Sequence, residues 1–240
     1  MIVTTNINKS FGKLKVLNEV SLTFNKGEAV SLIGPNGSGK TTLIKCLLGM
    51  VIPDSGSISF DGAEIVNSWL YRNKLGYMPQ IGRYPDNMTI RQVFDMILDL
   101  RRIEYNDADR ELIDSFKLES IFDKRMNTLS GGTRQKVSAS LAFLFNPEVL
   151  ILDEPTGGLD PLSSELLKEK IRKEKQIGKL ILITSHILSD LDDLVTEVIY
   201  LHEGNILFHK SLKQLRTDTN EEKLSRAIAS IMKNSDKINV

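Results

Sequence analysis

The feature that most constrains this chain is a glycine-rich stretch that stands between an expected strand and an expected helix. It reads Gly-Pro-Asn-Gly-Ser-Gly-Lys-Thr over residues 34–41. The preceding residues 28–33 read as a strand, and in residues 40–50 apolar side chains recur at helical spacing. In this setting the glycines let successive backbone N–H groups face an anion, and the start of the helix adds its positive end. The sequence therefore predicts an α/β fold with a phosphate-binding loop.

Two side chains of this loop have expected roles of their own. Lys40 can reach the β and γ phosphates of a nucleotide, and the hydroxyl of Thr41 can bind magnesium. A glycine-rich turn that binds nothing is the alternative, but the flanking strand and helix argue against it. The predicted nucleotide-binding residues of the loop are Gly34, Pro35, Asn36, Gly37, Ser38, Gly39, Lys40, Thr41 and Thr42.

A buried strand that ends in two acids supplies a second part of the predicted site. Residues 149–152 are all apolar, and Asp153 and Glu154 follow them. In a parallel sheet such a strand delivers its last side chains to the carboxyl edge, beside the phosphate loop. Asp153 is expected to act through water on the magnesium, and Glu154 to orient and deprotonate the attacking water. Taken alone, the same pair could be only the polar start of a loop.

Charge and composition exclude several classes of protein. The 31 Lys and Arg residues balance the 31 Asp and Glu residues, so no excess charge would hold the chain to nucleic acid or to an anionic membrane. The single cysteine, Cys46, cannot form an internal disulfide, which predicts a reducing compartment. No apolar run approaches the roughly 20 residues of a membrane-spanning helix, and the first residues do not resemble a secretory signal. We expect any link to a membrane to be made through another protein.

The expected elements change in character along the chain. The first 60 residues carry short alternating runs, which predict strands, and residues 82–146 carry helical spacing, which predicts a helical subdomain. Later apolar runs alternate with helical stretches, which predicts a parallel sheet covered by helices. Thr89 and Asp107 are candidate caps of the first two helices in the helical subdomain. The predicted helices span residues 40–50, 89–102, 107–118, 130–145, 163–176 and 187–194, and the predicted later strands span residues 149–152, 180–184 and 195–201.

A second helix start in the chain is suited to binding an anion. Leu-Ser-Gly-Gly at residues 129–132 opens a helix, with Ser130 as its cap. One nucleotide cannot obviously use both anion sites of one subunit. The longer run Leu-Ser-Gly-Gly-Thr-Arg-Gln-Lys, residues 129–136, resembles the signature motif of the ABC ATPases, the nucleotide-binding subunits of ABC transporters. Thr133 departs from the family pattern, in which glutamine is commonest at that position.

This resemblance covers residues 1 to about 210 and implies a fold. That fold is an α/β P-loop NTPase of RecA-like type, with a parallel sheet core, an N-terminal antiparallel β subdomain and a helical subdomain. The resemblance implies that residues 1–240 form a single ABC ATPase domain, with the helical subdomain at about 82–146 and a C-terminal helical tail at about 211–240. The tail reads as a polar amphipathic helix with a loose end.

Other positions match the family pattern one by one. Phe11 resembles the aromatic residue that stacks on adenine, and Gln80 the glutamine that contacts magnesium and water. Residues 157–160 resemble the D-loop, which crosses the dimer interface, and His186 resembles the histidine that contacts the γ phosphate. Taken singly, the phenylalanine would more often be a core residue, the glutamine a surface turn and the histidine structural. The resemblance implies catalytic roles for Glu154, His186 and Gln80, magnesium roles for Thr41, Gln80 and Asp153, and nucleotide contacts for Phe11, Ser130, Gly131 and Gly132.

The resemblance also implies an assembly. ABC ATPases form head-to-tail dimers in which the phosphate loop of one subunit and the signature motif of the other enclose each ATP, which accounts for the two anion sites. The implied cofactors are ATP and Mg²⁺, and the implied partners are the membrane subunits, or permease, of an ABC transporter. The chain would then lie on the cytoplasmic face of the membrane through those partners. Whether the dimer is a homodimer or a heterodimer of two ATPases stays open.

Two other classes are less consistent with the sequence. Soluble ABC ATPases of translation or DNA maintenance have two fused ATP-binding domains or long coiled-coil insertions, whereas this chain has one phosphate loop and no heptads. A P-loop phosphotransferase would not need Ser130 and its following glycines, or His186. The sequence therefore favours the transporter ATPase, with the soluble ABC ATPase as the alternative.

The segment after Gln80 gives a hypothesis about the membrane partner. Its family position, and an expected exposed mixture of Arg83, Tyr84 and Met88, predict that residues 82–102 dock a membrane subunit. A plain solvated loop is the alternative.

The same region gives a hypothesis about the transported substrate. Residues 78–89 are similar to those of the ATPase in the copper-processing transporter that serves nitrous oxide reductase maturation. With one Cys and three His, this chain would not form a copper site, so partners would handle any metal. The direction of transport stays open.

Overall fold

The computed structural model describes residues 1–66 and 68–236, and the chain divides into two compact units. We call Met1–Tyr71 with Leu180–Val240 the terminal unit, and Arg72–Lys179 the central unit. The strands are β1 (Ile2–Phe11), β2 (Leu14–Phe24), β3 (Ala29–Ile33), β4 (Ser55–Phe60), β5 (Ala63–Glu64), β6 (Leu75–Met78), β7 (Val149–Asp153), β8 (Leu180–Thr184), β9 (Glu197–His202) and β10 (Asn205–Ser211). The helices are α1 (Lys40–Leu47), α2 (Ile90–Arg101), α3 (Glu111–Ser115), α4 (Gly131–Phe143), α5 (Pro161–Gln176), α6 (Leu212–Thr219) and α7 (Leu224–Asp236).

The terminal unit contains two kinds of strand pairing. One sheet has the order β2-β1-β4-β5 and is antiparallel throughout. In the second arrangement β3 lies between β8 and β9 and is parallel to both, while β10 is antiparallel to β9. Every residue of β3 and β8 is buried, as expected for parallel strands covered on both faces. Because β3 and β8 run in register, the segments that follow them leave the sheet at the same edge.

The central unit is built on the parallel pair β6 and β7, with helices against it. The pairing runs from Leu75↔Val149 to Met78↔Leu152. α4 contacts β6, and α3 contacts both α4 and α5. Met78 and Phe143 are among the fully buried side chains here, so apolar burial stabilises this arrangement.

A buried lysine also joins two helices of the central unit. The Nζ atom of Lys170, on α5, lies 2.6 Å from Asp109, 2.9 Å from Glu111 and 2.7 Å from Glu174. Burial would lower the pKa of Lys170, but its hydrogen bonds to these carboxylates raise that pKa above its ordinary value. Lys173 also pairs with Glu111 and Lys179 with Glu174, so removing Lys170 would take a counter-charge mainly from Asp109. This cluster ties the start of α3 to α5.

Most predicted elements are confirmed with small shifts at their ends. Thr89 caps α2 as expected: the N–H of Gln92 donates to Thr89 Oγ1 at 3.2 Å, and the N–H of Thr89 donates to Gln92 Oε1 at 2.9 Å. These reciprocal bonds form a capping box. The predicted tail contains two helices, α6 and α7, instead of one, and its expected loose end at 237–240 lies outside the described residues.

The predicted start of the helix that Asp107 was expected to cap is wrong. α3 begins at Glu111, and Ala108 is extended. The N–H of Asp109 donates to the carbonyl oxygen of Leu144 at 2.9 Å. This tertiary bond holds the backbone in a non-helical path at the position where local spacing predicted a helix.

The helix predicted over residues 187–194 is also wrong. Only Leu188–Asp190 forms a turn of 3₁₀ helix. The carboxylate of Asp192 accepts hydrogen bonds from the guanidinium of Arg216 at 3.3 Å and from the N–H of Leu224 at 2.9 Å. Asp192 therefore holds the start of α7, a long-range role that helical spacing does not reveal.

Candidate functional site

The phosphate-loop sequence joins β3 to α1, as predicted. Gly34 has a φ of +152°, and a Cβ atom added there would lie 2.0 Å from the carbonyl oxygen of Leu201. Only glycine fits this close approach of two backbone segments. Gly39 precedes α1, and no side chain of the described residues caps that helix. The first N–H groups of α1 are therefore left for an acceptor from outside the helix.

Two polar side chains line the same loop. Lys40 Nζ donates to the carbonyl oxygens of Gly34 at 2.8 Å and of Pro35 at 3.0 Å, so its ammonium lies over the loop. Ser38 is buried, and its Oγ has no hydrogen-bond partner among the described residues. A glycine-lined loop with an ammonium, a buried hydroxyl and an uncapped helix start fits the phosphates of ATP. The hydroxyl-bearing residues that follow are exposed Thr41 and half-buried Thr42.

His186 lies at the same sheet edge as the phosphate loop. The pairing of β3 with β8 ends at Leu32↔Thr184, and His186 is the second residue after β8. The next N–H, that of Ile187, donates to Ser185 Oγ at 2.9 Å, which closes a tight turn around the histidine. This turn leaves His186 exposed.

Phe11 is the last residue of β1, on the hairpin that contacts the phosphate loop. Its side chain is 53% exposed. The next strand, β2, touches the loop, because a Cβ atom added to Gly39 would lie 2.6 Å from the carbonyl oxygen of Val16. An exposed aromatic face on this hairpin suits the stacking of a base.

In the central unit, two predicted catalytic side chains are in direct contact. Gln80 follows β6 and Glu154 follows β7, and these strands are parallel and in register. Gln80 Nε2 donates to Glu154 Oε2 at 2.9 Å. The amide therefore orients the carboxylate that is expected to activate water.

The backbone of Glu154 is unusual. Its φ is +52°, in the left-handed region that non-glycine residues rarely adopt. Its carbonyl oxygen accepts a hydrogen bond from Gln135 Nε2 at 3.4 Å. Backbone strain of the kind seen at Glu154 is concentrated at functional sites, where surrounding contacts hold it in place.

Asp153, the residue before Glu154, is buried at the end of β7. Burial, and then the negative charge of Asp153, raise the pKa of Tyr77 to about 12.

The signature-like motif opens α4 with the predicted cap. The N–H of Thr133 donates to Ser130 Oγ at 3.2 Å, and the two hydroxyl oxygens lie 2.9 Å apart. Ser130 and Gly131 are exposed, and a Cβ atom on Gly131 would have no heavy atom within 4 Å. Threonine at position 133, where glutamine is commonest in the family pattern, therefore keeps the cap and leaves the start of α4 accessible.

The start of α4 is held against the predicted D-loop by contacts that sequence reasoning missed. A Cβ atom on Gly132 would lie 2.7 Å from the carbonyl oxygen of Gly158, so the two backbones touch. Lys136 Nζ lies 2.8 Å from Asp160 Oδ2. Hydrogen bonds from Lys136 and from Ser163 hold the pKa of Asp160 well below its usual range. The only signal in the sequence was the spacing within each motif, which does not indicate that the motifs meet.

A magnesium site built from protein ligands alone is not found in residues 1–66 and 68–236. No group of three or more His, Cys, Asp or Glu side chains there could hold a metal ion. Mg²⁺ usually takes one or two protein ligands together with water and nucleotide phosphates. Thr41 in the terminal unit and Asp153 in the central unit each carry an oxygen ligand of the kind that Mg²⁺ prefers.

The segment after Gln80 is less exposed than predicted. Arg83 is exposed as expected, but Tyr84 and Met88 are only partly exposed. A Cβ atom on Gly82 would lie 2.8 Å from the Tyr84 ring and 3.2 Å from Ser138 Oγ, so the ring packs onto α4. Burial raises the pKa of Tyr84.

An open groove lies beside α2 in the same unit. Its volume is about 680 Å³, and its walls combine apolar with acidic side chains. Its lining residues are Asn87, Met88, Gln92, Asp95, Met96, Asp99 and Leu100.

Comparison with known proteins identifies the family. The sequence model of the family described as ABC transporter matches residues 17–157, more than half of the 240 residues. The chain belongs to the ABC transporter family. It is an ATP-binding subunit of an ABC transporter and an ATPase, as the motifs predicted.

Individual relatives of this ABC ATPase cover most of its length. "Nod factor export ATP-binding protein I" of Sinorhizobium fredii is 35% identical over 85% of this chain, which spans only 60% of that relative. "ABC transporter ATP-binding protein NatA" of Bacillus subtilis is 32% identical, over 94% of this chain and 95% of the relative. "Lantibiotic transport ATP-binding protein SrtF" of Streptococcus pyogenes is 34% identical, over 88% of this chain and 90% of the relative.

Solved structures confirm the predicted fold class. The ATP-binding subunit of an ABC transporter superposes with a TM-score of 0.89 at 27% identity, covering 97% of this chain and 99% of the other. A nucleotide-free ATP-binding cassette from an ABC transporter gives a TM-score of 0.75 at 24% identity, covering 95% and 98% of the two chains. The ABC ATPase fold, with its antiparallel β subdomain and mixed parallel sheet flanked by helices, is therefore established. Within the described residues, no helix combines the length and apolar character that a bilayer crossing requires.

Proposed function

We propose that this ABC ATPase powers an export system, with Glu154 as the base that activates the attacking water. The hydrogen bond of 2.9 Å from Gln80 to Glu154 is the observation that supports this most directly. A carboxylate held by an amide donor at the end of a buried strand is suited to orient a water molecule and to take its proton. The left-handed backbone of Glu154 supports the same role, because strain at an acid suggests a constraint beyond folding.

The nucleotide contacts are divided among several elements in this proposal. Residues 34–42 hold the phosphates of ATP, with Lys40 at the β and γ phosphates. His186 contacts the γ phosphate, and Phe11 stacks on adenine. When bound, Mg²⁺ supplies positive charge that offsets the charge developing on the phosphates. Thr41 and Gln80 would hold it directly, and Asp153 through water.

A second ATPase subunit completes each ATP site in this proposal. Ser130, Gly131 and Gly132 contact the nucleotide that is bound to the phosphate loop of the opposite subunit. Support comes from the accessible start of α4, where Ser130 and Gly131 are exposed. The opposite subunit is a second copy of this chain or a different ATPase.

The wider setting follows from the same family. We propose that residues 1–240 act as one ATPase domain, with a helical subdomain at about 82–146 and a helical tail at about 211–240. The chain lies on the cytoplasmic face of the membrane through its membrane partners. Export is favoured because a relative that is 35% identical is named for Nod factor export. The copper-related substrate stays a prediction.

Residues 82–102 are proposed to contact the membrane subunits. Exposed Arg83 and the open groove beside α2 support this proposal. We expect an Arg83→Cys variant that carries a thiol cross-linker to capture a membrane subunit in the complex isolated from native membrane. Cys46, the only native cysteine, is buried, and burial raises its pKa to about 11, so it should not compete for the reagent.

Ile177→Cys is the matched control for this experiment. Ile177 is 69% exposed and follows α5 in the same unit. We expect no membrane subunit to be captured from this position. Equal capture from both positions, or capture from neither, would refute the assigned docking surface.

A further inference from the structure

The end of β1, which carries Phe11, is paired with one strand only among the described residues. The β1–β2 register shifts between Lys9 and Ser10, and the pairing of β1 with β4 stops at Asn8↔Ser55. Beyond Asn8, β1 therefore has β2 as its only strand neighbour among the described residues, and after the shift the pairs Ser10↔Lys15 and Phe11↔Leu14 fix its backbone. These backbone pairs do not fix the rotation of the Phe11 ring, which depends on side-chain contacts.

Asp54, the residue before β4, contacts this end of β1. Its N–H donates to the carbonyl oxygen of Asn8 at 2.8 Å. Its carboxylate accepts from Lys9 Nζ at 2.7 Å with one oxygen and from the N–H of Ser10 at 2.7 Å with the other. One residue thus holds three consecutive positions of β1, just before Phe11.

Lys9 extends this support to the ring itself. Its ammonium lies over the Phe11 ring, 5.5 Å from the ring centroid, while it is bound to Asp54. The lysine side chain is 16% exposed, so its charge is partly shielded from water. A cation in this position attracts an aromatic face and limits the rotation of the ring.

The same aspartate is close in sequence to the helix that starts at the phosphate loop. The N–H groups of Met50 and Val51 donate to the carbonyl oxygen of Lys45, on α1, at 2.8 and 3.1 Å. Three residues later the chain reaches Asp54. A short, hydrogen-bonded segment therefore connects α1 with the support of Phe11.

We propose that Asp54 and Lys9 are positioning residues that hold the Phe11 ring for base stacking and so set the affinity for ATP. The inference rests on the proposed contact of Phe11 with adenine. Lys9 holds one side of the ring, Asp54 holds Lys9 and the backbone of Ser10, and the exposed part of the ring is presented to the base. Neither residue touches the reacting phosphate, so the rate of the chemical step does not depend on them.

A double-mutant cycle tests this inference, with ATP affinity measured by calorimetry and kcat and KM measured in parallel. Lys9→Met and Asp54→Ala should each weaken ATP binding by about threefold to tenfold, the size of one cation–π contact or hydrogen bond, with kcat changed by less than about twofold. In a Phe11→Ala background, the same substitutions should weaken ATP binding by less than about twofold, because the ring that Lys9 and Asp54 position is gone. Lys13→Met, which removes an exposed charge from the same hairpin, should leave ATP affinity unchanged.

The outcomes separate the two proposals. Suppose that Phe11→Ala weakens ATP binding, but that Lys9→Met reduces ATP affinity as much in that background as in the native chain. The positioning role is then refuted and the stacking role stands. Unchanged ATP affinity in Phe11→Ala would refute the stacking role and this inference with it. If Asp54→Ala does not fold, the test can still be made with Lys9→Met and Asp54→Asn. Asp54→Asn keeps an acceptor for the N–H of Ser10 but removes the charge that holds Lys9.

Discussion

Glu154→Gln is expected to lower the ATP turnover rate by at least about a hundredfold while ATP affinity stays close to that of the native chain. Glutamine has nearly the same shape as glutamate, so the contact with Gln80, which joins the two side chains at 2.9 Å, can be kept with an amide oxygen as acceptor. The amide cannot take a proton from water. The expected loss therefore falls on the chemical step and not on binding.

Single-turnover hydrolysis and nucleotide binding, measured on the same preparation, check this prediction. Glu165→Gln is the control, because Glu165 is an exposed acid paired with Arg172 on α5. It should hydrolyse ATP at the native rate. A Glu154→Gln protein with the native turnover rate would refute the assignment of Glu154 as the base.

Lys40→Ala is expected to remove most ATP binding and nearly all hydrolysis. The Lys40 ammonium lies over the phosphate loop, bonded to the carbonyl oxygens of Gly34 and Pro35. At that position it can exchange these neutral acceptors for charged phosphate oxygens, which form stronger hydrogen bonds with a cation. Alanine would leave the negative charge of the phosphates without this partner. We expect a loss of affinity of at least about tenfold and a loss of turnover of at least about a hundredfold.

Isothermal titration with ATP and a steady-state ATPase assay check the second prediction. Lys45→Ala is the matched control, because Lys45 is an exposed lysine on the same helix, α1. Its ATP affinity should equal that of the native chain. Undiminished ATP affinity in Lys40→Ala would refute the assignment of the phosphate loop to the ATP site.

Local patterns were sufficient to predict the parts of the site that depend on short stretches of sequence. The glycines of the phosphate loop predicted their own strand–loop–helix setting, because few other residues fit a φ of +152° at Gly34. Ser130 and Thr89 predicted their helix starts, because a capping side chain bonds to an N–H only three residues away.

Features that depend on distant residues could not be predicted in this way. The contact of Gln80 with Glu154 joins residues 74 positions apart, and nothing in either motif indicates it. The buried Lys170 reads as one more charge on an amphipathic helix until Asp109, 61 residues away, is found beside it. Asp192 contributes to the start of α7, so its neighbours do not form the helix that their spacing predicted. At Asp192 a tertiary bond overrides the local preference, and in the other two cases it adds a contact that the local pattern does not specify.

The most direct test of the account is the solution mass of Glu154→Gln, measured by light scattering with ATP and with ADP. If ATP joins two subunits through Ser130 and Gly131, this variant should have the mass of two chains with ATP and of one chain with ADP. Adding Ser130→Ala or Gly131→Asp should return the ATP sample to the mass of one chain; the aspartate fits because a Cβ atom at residue 131 has no heavy atom within 4 Å. A mass of one chain at saturating ATP, in a Glu154→Gln protein that binds ATP, would contradict the account.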